Sequence, residues 1–175
     1  AMARGPIPVG TSPAYYGNSY LCALTFRGGP SSGSGIFVTD ITVTGCRLHG
    51  AFNLVLLVGV QRAVFEHCKF YDSTFDSGPM GNHPNITEWA FSGDITYRYS
   101  EFWNWYSEGL RIGCAYDPDP NPYGACYMYG NVFRDPNDGS YSARVAEART
   151  KTQTLYFDNN TCIGFTGNPF VLGQT

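Results

Sequence analysis

Charged residues are scarce in this chain of 175 residues. Charged residues make up only 14 % of it, two of them are lysines, and the formal net charge is −3. No run of basic residues is present, and neutralising phosphates needs clustered lysine and arginine. The sequence therefore predicts no nucleic-acid partner. With 43 % hydrophobic residues, the composition is that of a folded chain rather than a disordered one.

Long apolar runs and zinc-type cysteine spacings are also missing. The longest apolar run covers residues 54–60, whereas a membrane-spanning helix needs roughly 20 residues. Six cysteines are present without a CxxC pair, which excludes the usual zinc signature. Cys114 and Cys126 flank a loop rich in Pro and Asp, so Cys126 is either a disulfide partner or a small core residue. The opening residues 1–3, AMA, resemble a cloning remnant, and we expect the natural start to lie upstream.

Glycine and aromatic residues are abundant, with 21 Gly, 13 Tyr and 12 Phe. Turn residues alternating with aromatic and β-branched runs predict an all-β chain. Six stretches repeat one loose pattern of apolar and polar positions. They are YLCALTF (20–26), VTGCRL (43–48), VFEHCKF (64–70), TYRYSEF (96–102), YMYGNVF (127–133) and YFDNNTC (156–162).

Aligning the six stretches gives three columns that are almost wholly apolar or small. The column that ends each stretch is Phe26, Leu48, Phe70, Phe102, Phe133 and Cys162. Five positions earlier stand Leu21, Val43, Phe65, Tyr97, Met128 and Phe157. Two positions before those stand Ser19, Ile41, Ala63, Ile95, Cys126 and Leu155. The intervening residues are mostly polar, and this alternation predicts strands that bury one face.

A fourth column is mostly small or polar. It consists of Leu24, Cys46, Cys68, Ser100, Asn131 and Asn160. Such side chains at a turn can bond to their equivalents one repeat above and below, about 4.8 Å away. The same alignment predicts two outward ion pairs between neighbouring repeats, Glu66–Arg98 and Lys69–Glu101.

The last residues of successive stretches, from Phe26 to Cys162, are 22, 22, 32, 31 and 29 residues apart. A unit this short cannot bury its own apolar face, so the repeat predicts stacked coils. The pattern apolar-x-apolar-x-x-Asn-x-Phe resembles the right-handed parallel β-helix of the pectate-lyase-like superfamily and of phage tailspikes. The resemblance covers about residues 19–172. It implies an all-β, right-handed parallel β-helix solenoid of about six coils, forming one domain over 1–175. A β-sandwich is the alternative.

Three longer gaps, 71–94, 103–125 and 134–154, are predicted to emerge as loops on one flank and to form a groove wall. They contain all three tryptophans. Aromatic faces beside charged groups suit sugar rings. The substrate-binding candidates are Trp89, Trp103, Trp105, Tyr106, Arg98 and Arg134. The alternative is that Trp103 and Trp105 cover the loops of their own coil.

The resemblance implies an extracellular or virion-surface protein that engages polysaccharide, as a lyase, a glycoside hydrolase or a tailspike-type depolymerase. The catalytic candidates are Asp72, Asp94, Glu101, Glu108 and Arg111. Asp117 and Asp119 are weak candidates for a Ca²⁺ site, and no other cofactor is expected. The sequence contains neither the pectate-lyase motifs WxDH and RxPxxR nor the polygalacturonase series NTD…DD…GHG…RIK. The alternative function is a non-catalytic adhesin or virion module, and either version is expected to associate as a homotrimer or through its ends.

Overall fold

The computed structural model describes residues 22–28, 37–73, 85–105, 108–112, 124–134, 144–148, 154–165 and 168–172. These residues contain β-strands and turns and no helix. The prediction of an all-β chain is confirmed. Numbered in chain order, the strands form three parallel sheets, which we call sheets A, B and C.

Each sheet takes every third strand of the chain. Sheet A consists of β1 (Cys22–Arg27), β4 (Asn53–Val58), β7 (Thr87–Ala90), β10 (Glu108–Ile112), β13 (Arg144–Ala148) and β16 (Phe170–Leu172). Sheet B consists of β2 (Val38–Thr44), β5 (Val60–Glu66), β8 (Gly93–Arg98), β11 (Cys126–Tyr129) and β14 (Leu155–Asp158). Sheet C consists of β3 (Arg47–His49), β6 (Lys69–Tyr71), β9 (Glu101–Trp103), β12 (Val132–Arg134) and β15 (Thr161–Ile163).

The pairing register confirms the inward columns over five repeats. In sheet B the first inward column is Ile41, Ala63, Ile95, Cys126 and Leu155, and the second is Val43, Phe65, Tyr97, Met128 and Phe157. In sheet C the inward column is Leu48, Phe70, Phe102, Phe133 and Cys162. Cys126 is a free, fully buried thiol, as the core interpretation predicted. Its burial raises its pKa well above the ordinary value, because an apolar site disfavours the thiolate.

Aromatic rings in the inward columns stack along the molecule. The ring centroids of Phe70 and Phe102 are 4.8 Å apart, and those of Phe102 and Phe133 are 4.5 Å apart. Phe65 stacks on Tyr97 in sheet B at 5.0 Å. The core is therefore a set of continuous aromatic and aliphatic columns that pass from one strand level to the next.

The first stretch, YLCALTF (20–26), was aligned with strands of the wrong sheet. Residues 22–26 belong to β1 of sheet A, where Leu24 pairs with Val55 and Phe26 with Leu57. Sheet A therefore has six strands and sheets B and C have five. Period-two alternation is the same in every strand of such a fold, so it identifies a buried face without identifying the sheet.

The prediction that all the extra residues emerge on one flank is also wrong. Each of the three long gaps contains a sheet A strand, namely β7, β10 and β13. The extra residues 74–84 and 135–143 connect sheet C to sheet A, whereas 113–123 connect sheet A to sheet B. The insertions therefore leave from two different corners, and their residues lie outside the described part of the chain.

The polar turn column between sheets B and C is confirmed as a hydrogen-bonded ladder. The backbone N–H of Cys68 donates to Ser100 Oγ at 3.0 Å, and that of Ser100 donates to Asn131 Oδ1 at 3.0 Å. The N–H of Asn131 donates in turn to Asn160 Oδ1 at 2.9 Å. Each side chain thus satisfies a turn N–H of the neighbouring level.

The residue before each ladder position has a left-handed backbone, which turns the chain from sheet B into sheet C. These residues are Gly45, His67, Tyr99, Gly130 and Asn159. At Gly130 a Cβ would lie 2.7 Å from the ring of Tyr99, so space as well as the left-handed conformation favours glycine there.

An exposed ion pair near the start of sheet B supplies a pH-dependent contribution to stability. Arg62 donates to both carboxylate oxygens of Asp40, at 2.7 and 2.9 Å. These bonds, with one from Thr39, lower the pKa of Asp40 to about 2. A carboxyl with a depressed folded-state pKa stabilises the fold above its unfolded pKa and loses that contribution as pH falls through the folded value.

We expect Asp40→Asn to lower the thermal midpoint slightly at neutral pH and to leave it unchanged at about pH 2. The wild-type advantage should fade between about pH 4 and about pH 2, since the unfolded pKa is about 3.9. Differential scanning calorimetry across this range measures the difference. Arg62→Gln is the matched control, because it removes the same bonds from the other side. A wild-type advantage that persists unchanged at the lowest pH would contradict the assignment.

Candidate functional site

The outer face of sheet C presents a row of stacked side chains that runs across four strands. Tyr71, Trp103 and Arg134 directly follow inward phenylalanines, and His49 follows Leu48 in the same way, so all four point outward. His49 stacks on Tyr71 at 4.7 Å, and Tyr71 stacks on Trp103 at 4.3 Å and 3°. The guanidinium of Arg134 lies over the Trp103 ring, 4.8 Å from its centroid. We call these four residues the outer aromatic row.

A second outward row lies beside it, two positions earlier in each strand. Its members are Arg47, Lys69, Glu101, Val132 and Thr161. Lys69 Nζ is 3.1 Å from Glu101 Oε1, which confirms the predicted pair. Arg134 Nη2 is 3.9 Å from Glu101 Oε2, so this carboxylate lies between two cations. All three side chains remain partly exposed, and the ion pairs order the face more than they stabilise the fold.

Strands β6 and β9 of sheet C end at a hydrogen-bonded corner. Asp72 follows Tyr71 and Asn104 follows Trp103, and both have left-handed backbones that end their strands. Asn104 Nδ2 donates to Asp72 Oδ1 at 2.6 Å. The carboxylate of Asp72 therefore accepts from the adjacent level and borders the outer aromatic row.

The structure brings four of the predicted site residues to this face: Trp103, Arg134, Glu101 and Asp72. Arg98 lies instead on the outer face of sheet B, as predicted for the Glu66 pair. Arg98 Nη2 is 2.6 Å from Glu66 Oε2, and Nη1 donates to Tyr129 Oη at 3.0 Å. The hydrogen bond to Tyr129, and after it the bond to Glu66, raises the pKa of Arg98 above its ordinary value.

The remaining described catalytic candidates lie on other sheets. Arg111 is on the outer face of sheet A, with Nη1 3.6 Å from Glu88 Oε1. Asp94 is the second residue of β8 in sheet B, where its Oδ1 accepts from the N–H of Ala125 at 3.3 Å. The candidate set therefore does not converge into one catalytic constellation.

Two of the three tryptophans are core residues, so the prediction that they bind substrate is wrong. Trp89 and Trp105 are fully buried. Trp89 occupies the inward sheet A column next to Leu57, 6.4 Å from the ring of Tyr97. Trp105 donates from Nε1 to the carbonyl of Arg144 at 3.0 Å. The alternative prediction, that Trp105 covers the loops of its own coil, concerns residues outside the described part of the chain, and the described contacts of its ring are with Phe133 and Phe165.

The third tryptophan, the partly buried Trp103, also differs from the predicted stacking site. One face of the Trp103 ring lies on Tyr71 and the other lies under Arg134. A sugar ring cannot stack on a face that another side chain already occupies. With these contacts in place, a ligand meets the edge of the indole and the charged groups around it.

Some predicted residues lie outside the described part of the chain. They are Tyr106, Asp117 and Asp119, and Glu108 is described only as part of β10. Within the described ranges, no group of three or more metal-ligating side chains comes together. The proposed Ca²⁺ site therefore remains a prediction.

Sequence reasoning missed two members of this face, His49 and Tyr71. The signal was available, because each directly follows a residue of the inward column that ends the repeat. In a strand the position after an inward residue points outward. The residue that directly follows the last position of each stretch gives the whole outer aromatic row.

Comparisons with known proteins return nothing: no protein-family model, no curated protein and no solved structure matches this chain. The described segments also contain no helix long and apolar enough to cross a membrane.

Proposed function

We propose that the three sheets wind as one right-handed parallel β-helix solenoid. The chain enters sheets A, B and C in a fixed order, and every strand pair is parallel. Crossovers between parallel strands of one sheet are right-handed in about 98 % of cases. Polar ladders at the corners and continuous inward columns are what stacked coils of this kind require.

The function that this geometry supports best is an extracellular or virion-surface module that binds polysaccharide along the outer face of sheet C. One observation carries the proposal. The outer aromatic row and the adjacent charged row run side by side across four strand levels, with donors and acceptors held in place by their neighbours. A long polymer can engage such a face at several levels, and groups that are already ordered lose little entropy on binding.

The chemistry of the face suits hydroxyl-rich chains. Lys69 and Arg134 supply donors, Glu101 and Asp72 supply acceptors, and the ring edges between them are amphipathic. Binding is favoured over cleavage, because each described carboxylate of the candidate set is already hydrogen-bonded or ion-paired. Glycoside hydrolysis uses two carboxyl groups about 5–9.5 Å apart across a bound sugar.

A second candidate function, a structural or adhesin rod without a glycan site, is favoured by the closed faces of Trp103 and the buried Trp89 and Trp105. Tryptophans packed in this way stabilise the fold itself, and their packing needs no ligand. The two candidates differ in whether the wild-type protein is retained by any polysaccharide.

We expect Trp103→Ala to weaken polysaccharide binding roughly tenfold or more, about 1.4 kcal/mol or above. The substitution removes the central member of the outer aromatic row and frees Arg134 from its position over the ring. Affinity electrophoresis in gels containing acidic or neutral polysaccharides, with calcium or with chelator, measures retention. The same incubations are assayed for new reducing ends and unsaturated products, which report hydrolysis and elimination.

The matched control is Tyr127→Ala, which removes an outward aromatic from sheet B that stacks on Tyr156 at 5.1 Å and 3°. It should leave retention unchanged. Equal losses in both variants would show a general effect on folding and would remove the sheet C face from the proposal. Absence of retention with every polysaccharide would favour the structural rod. Cleavage of a polysaccharide would show that the protein is an enzyme rather than a binding module.

A further inference from the structure

Among the described residues, the hydrophobic core is fully buried at its middle levels and only partly buried at the first and last levels. The inward side chains of the central levels, such as Phe65, Phe70 and Phe102, are fully buried. Each described hydrophobic residue that packs against this core and is partly buried belongs to the first or the last level. At the first level these are Leu24, Phe26, Val38, Ile41, Val43, Leu48 and Ala51, and at the last level Leu155, Phe157, Phe165 and Phe170.

The last level also carries two of the three large hydrophobic residues that are exposed in the described part of the chain. Tyr156 is 50 % exposed and Ile163 is 49 % exposed. The only other large hydrophobic residue that is exposed among the described residues is Tyr99, at a corner in the middle of the stack. Tyr156 and Ile163 belong to β14 and β15, the strands that end sheets B and C, so a molecule placed on this level would lie next to their side chains.

The same ends present sheet edges. Among the described strands, β2 and β3 pair on one side only, and so do β14 and β15 at the opposite end. Unpaired edges of this kind accept another strand. Because all three sheets are parallel, a copy placed on the last level can continue each ladder only with its own first level facing it.

We propose that the protein associates head to tail, with β14, β15 and β16 of one copy pairing in parallel with β2, β3 and β1 of the next. In the register that the sheets already use, Leu155 lies beside Ile41 of the next copy and Phe157 beside its Val43. In sheet C, Cys162 lies beside Leu48. The half-exposed apolar columns are thereby continued and closed.

Charge favours this orientation over its alternatives. The first level carries two exposed cations, Arg27 and Arg47, and one exposed anion, Asp40, which is already paired with Arg62 of its own copy, whereas the last level carries an exposed anion, Asp158. A tail-to-tail pair brings two Asp158 residues to one interface, and a head-to-head pair brings four arginines together. Head-to-tail contact is also heterologous, so it does not close on itself and extends into chains.

Sedimentation velocity on the 175-residue chain over a hundredfold concentration range tests the proposal. Wild-type protein should show a mass that rises with concentration beyond a dimer. Ile163→Lys blocks one end, because its register position faces His49 of the next copy and the substitution replaces an apolar contact with that ring by a solvated cation. Thr44→Glu blocks the other end, because its register position faces Asp158 and like charges directly opposite are destabilising.

Each blocked variant alone should remain at the monomer mass of 19.3 kDa, and an equimolar mixture should form dimers and nothing larger, through its two intact ends. Tyr99→Lys is the matched control and should assemble like the wild type. Circular dichroism of each variant checks that it folds. A wild type that is monomeric at every concentration would overturn the proposal. Dimers of Thr44→Glu alone would overturn it too, in favour of a tail-to-tail pair.

Discussion

Replacing Phe102 by alanine should lower the free energy of unfolding by about 4 kcal/mol. Its ring lies between those of Phe70 and Phe133, at 4.8 and 4.5 Å, and meets Tyr97 edge-on at 6.0 Å. Removing it opens a cavity between two rings that sit on different strands. Because the parallel ladders on either side fix the backbone spacing, the walls cannot collapse to fill the cavity.

Urea denaturation followed by circular dichroism measures this loss. Tyr127→Ala serves as the control, because it removes a stacked ring from the half-exposed outer face of sheet B and should cost about 1 kcal/mol. If Phe102→Ala does not fold, Phe102→Leu should still show a loss of about 1–1.5 kcal/mol. A loss from Phe102→Ala no larger than the loss from Tyr127→Ala would show that the column contributes little.

Replacing Asn131 by alanine should cost about 3 kcal/mol. Its Oδ1 accepts from the N–H of Ser100 at 3.0 Å, and its Nδ2 donates to the carbonyl of Tyr97 at 2.9 Å. Asn131 is fully buried. Alanine leaves a donor and an acceptor without partners on the neighbouring level, and each such group costs about 1–3 kcal/mol when water cannot reach it.

Asn160→Ala tests whether position in the ladder matters. Asn160 makes the equivalent bonds, to the N–H of Asn131 and the carbonyl of Met128 at 2.9 and 2.8 Å. It lies on the last level and is only half-buried, so water can replace its bonds and the loss should be about 1 kcal/mol. Equal losses from the two alanine variants in the same urea titration would contradict a ladder whose strength depends on burial.

The repeat could be predicted because the features that define it are local. Alternation marks an inward column, and a small polar residue after a left-handed turn marks the ladder, so Cys68, Ser100 and Asn131 were recognisable from their spacing alone. The sheet to which β1 belongs was not predictable in this way. Phe26 and Phe70 have the same flanking alternation, and only the hydrogen-bonded pairing of Phe26 with Leu57 distinguishes them.

The candidate site was predictable only where the repeat extends to it. Trp103 directly follows the inward Phe102, so its outward direction is set by the strand. Trp89 and Trp105 lie in segments that the alignment left as loops, where no alternation indicated a face. Both are buried, because a strand of sheet A and a corner occupy what sequence reasoning treated as surface insertions.

The parallel pairing of all three sheets has a mechanical consequence. The hydrogen bonds that join one strand level to the next lie along the direction from the first level to the last and are donated in both senses. A force applied along that direction loads a few of these bonds at a time instead of shearing many together. Such a molecule is weak in tension and peels apart level by level. Sideways bending is resisted, because the stacked rings are already in contact and cannot be compressed.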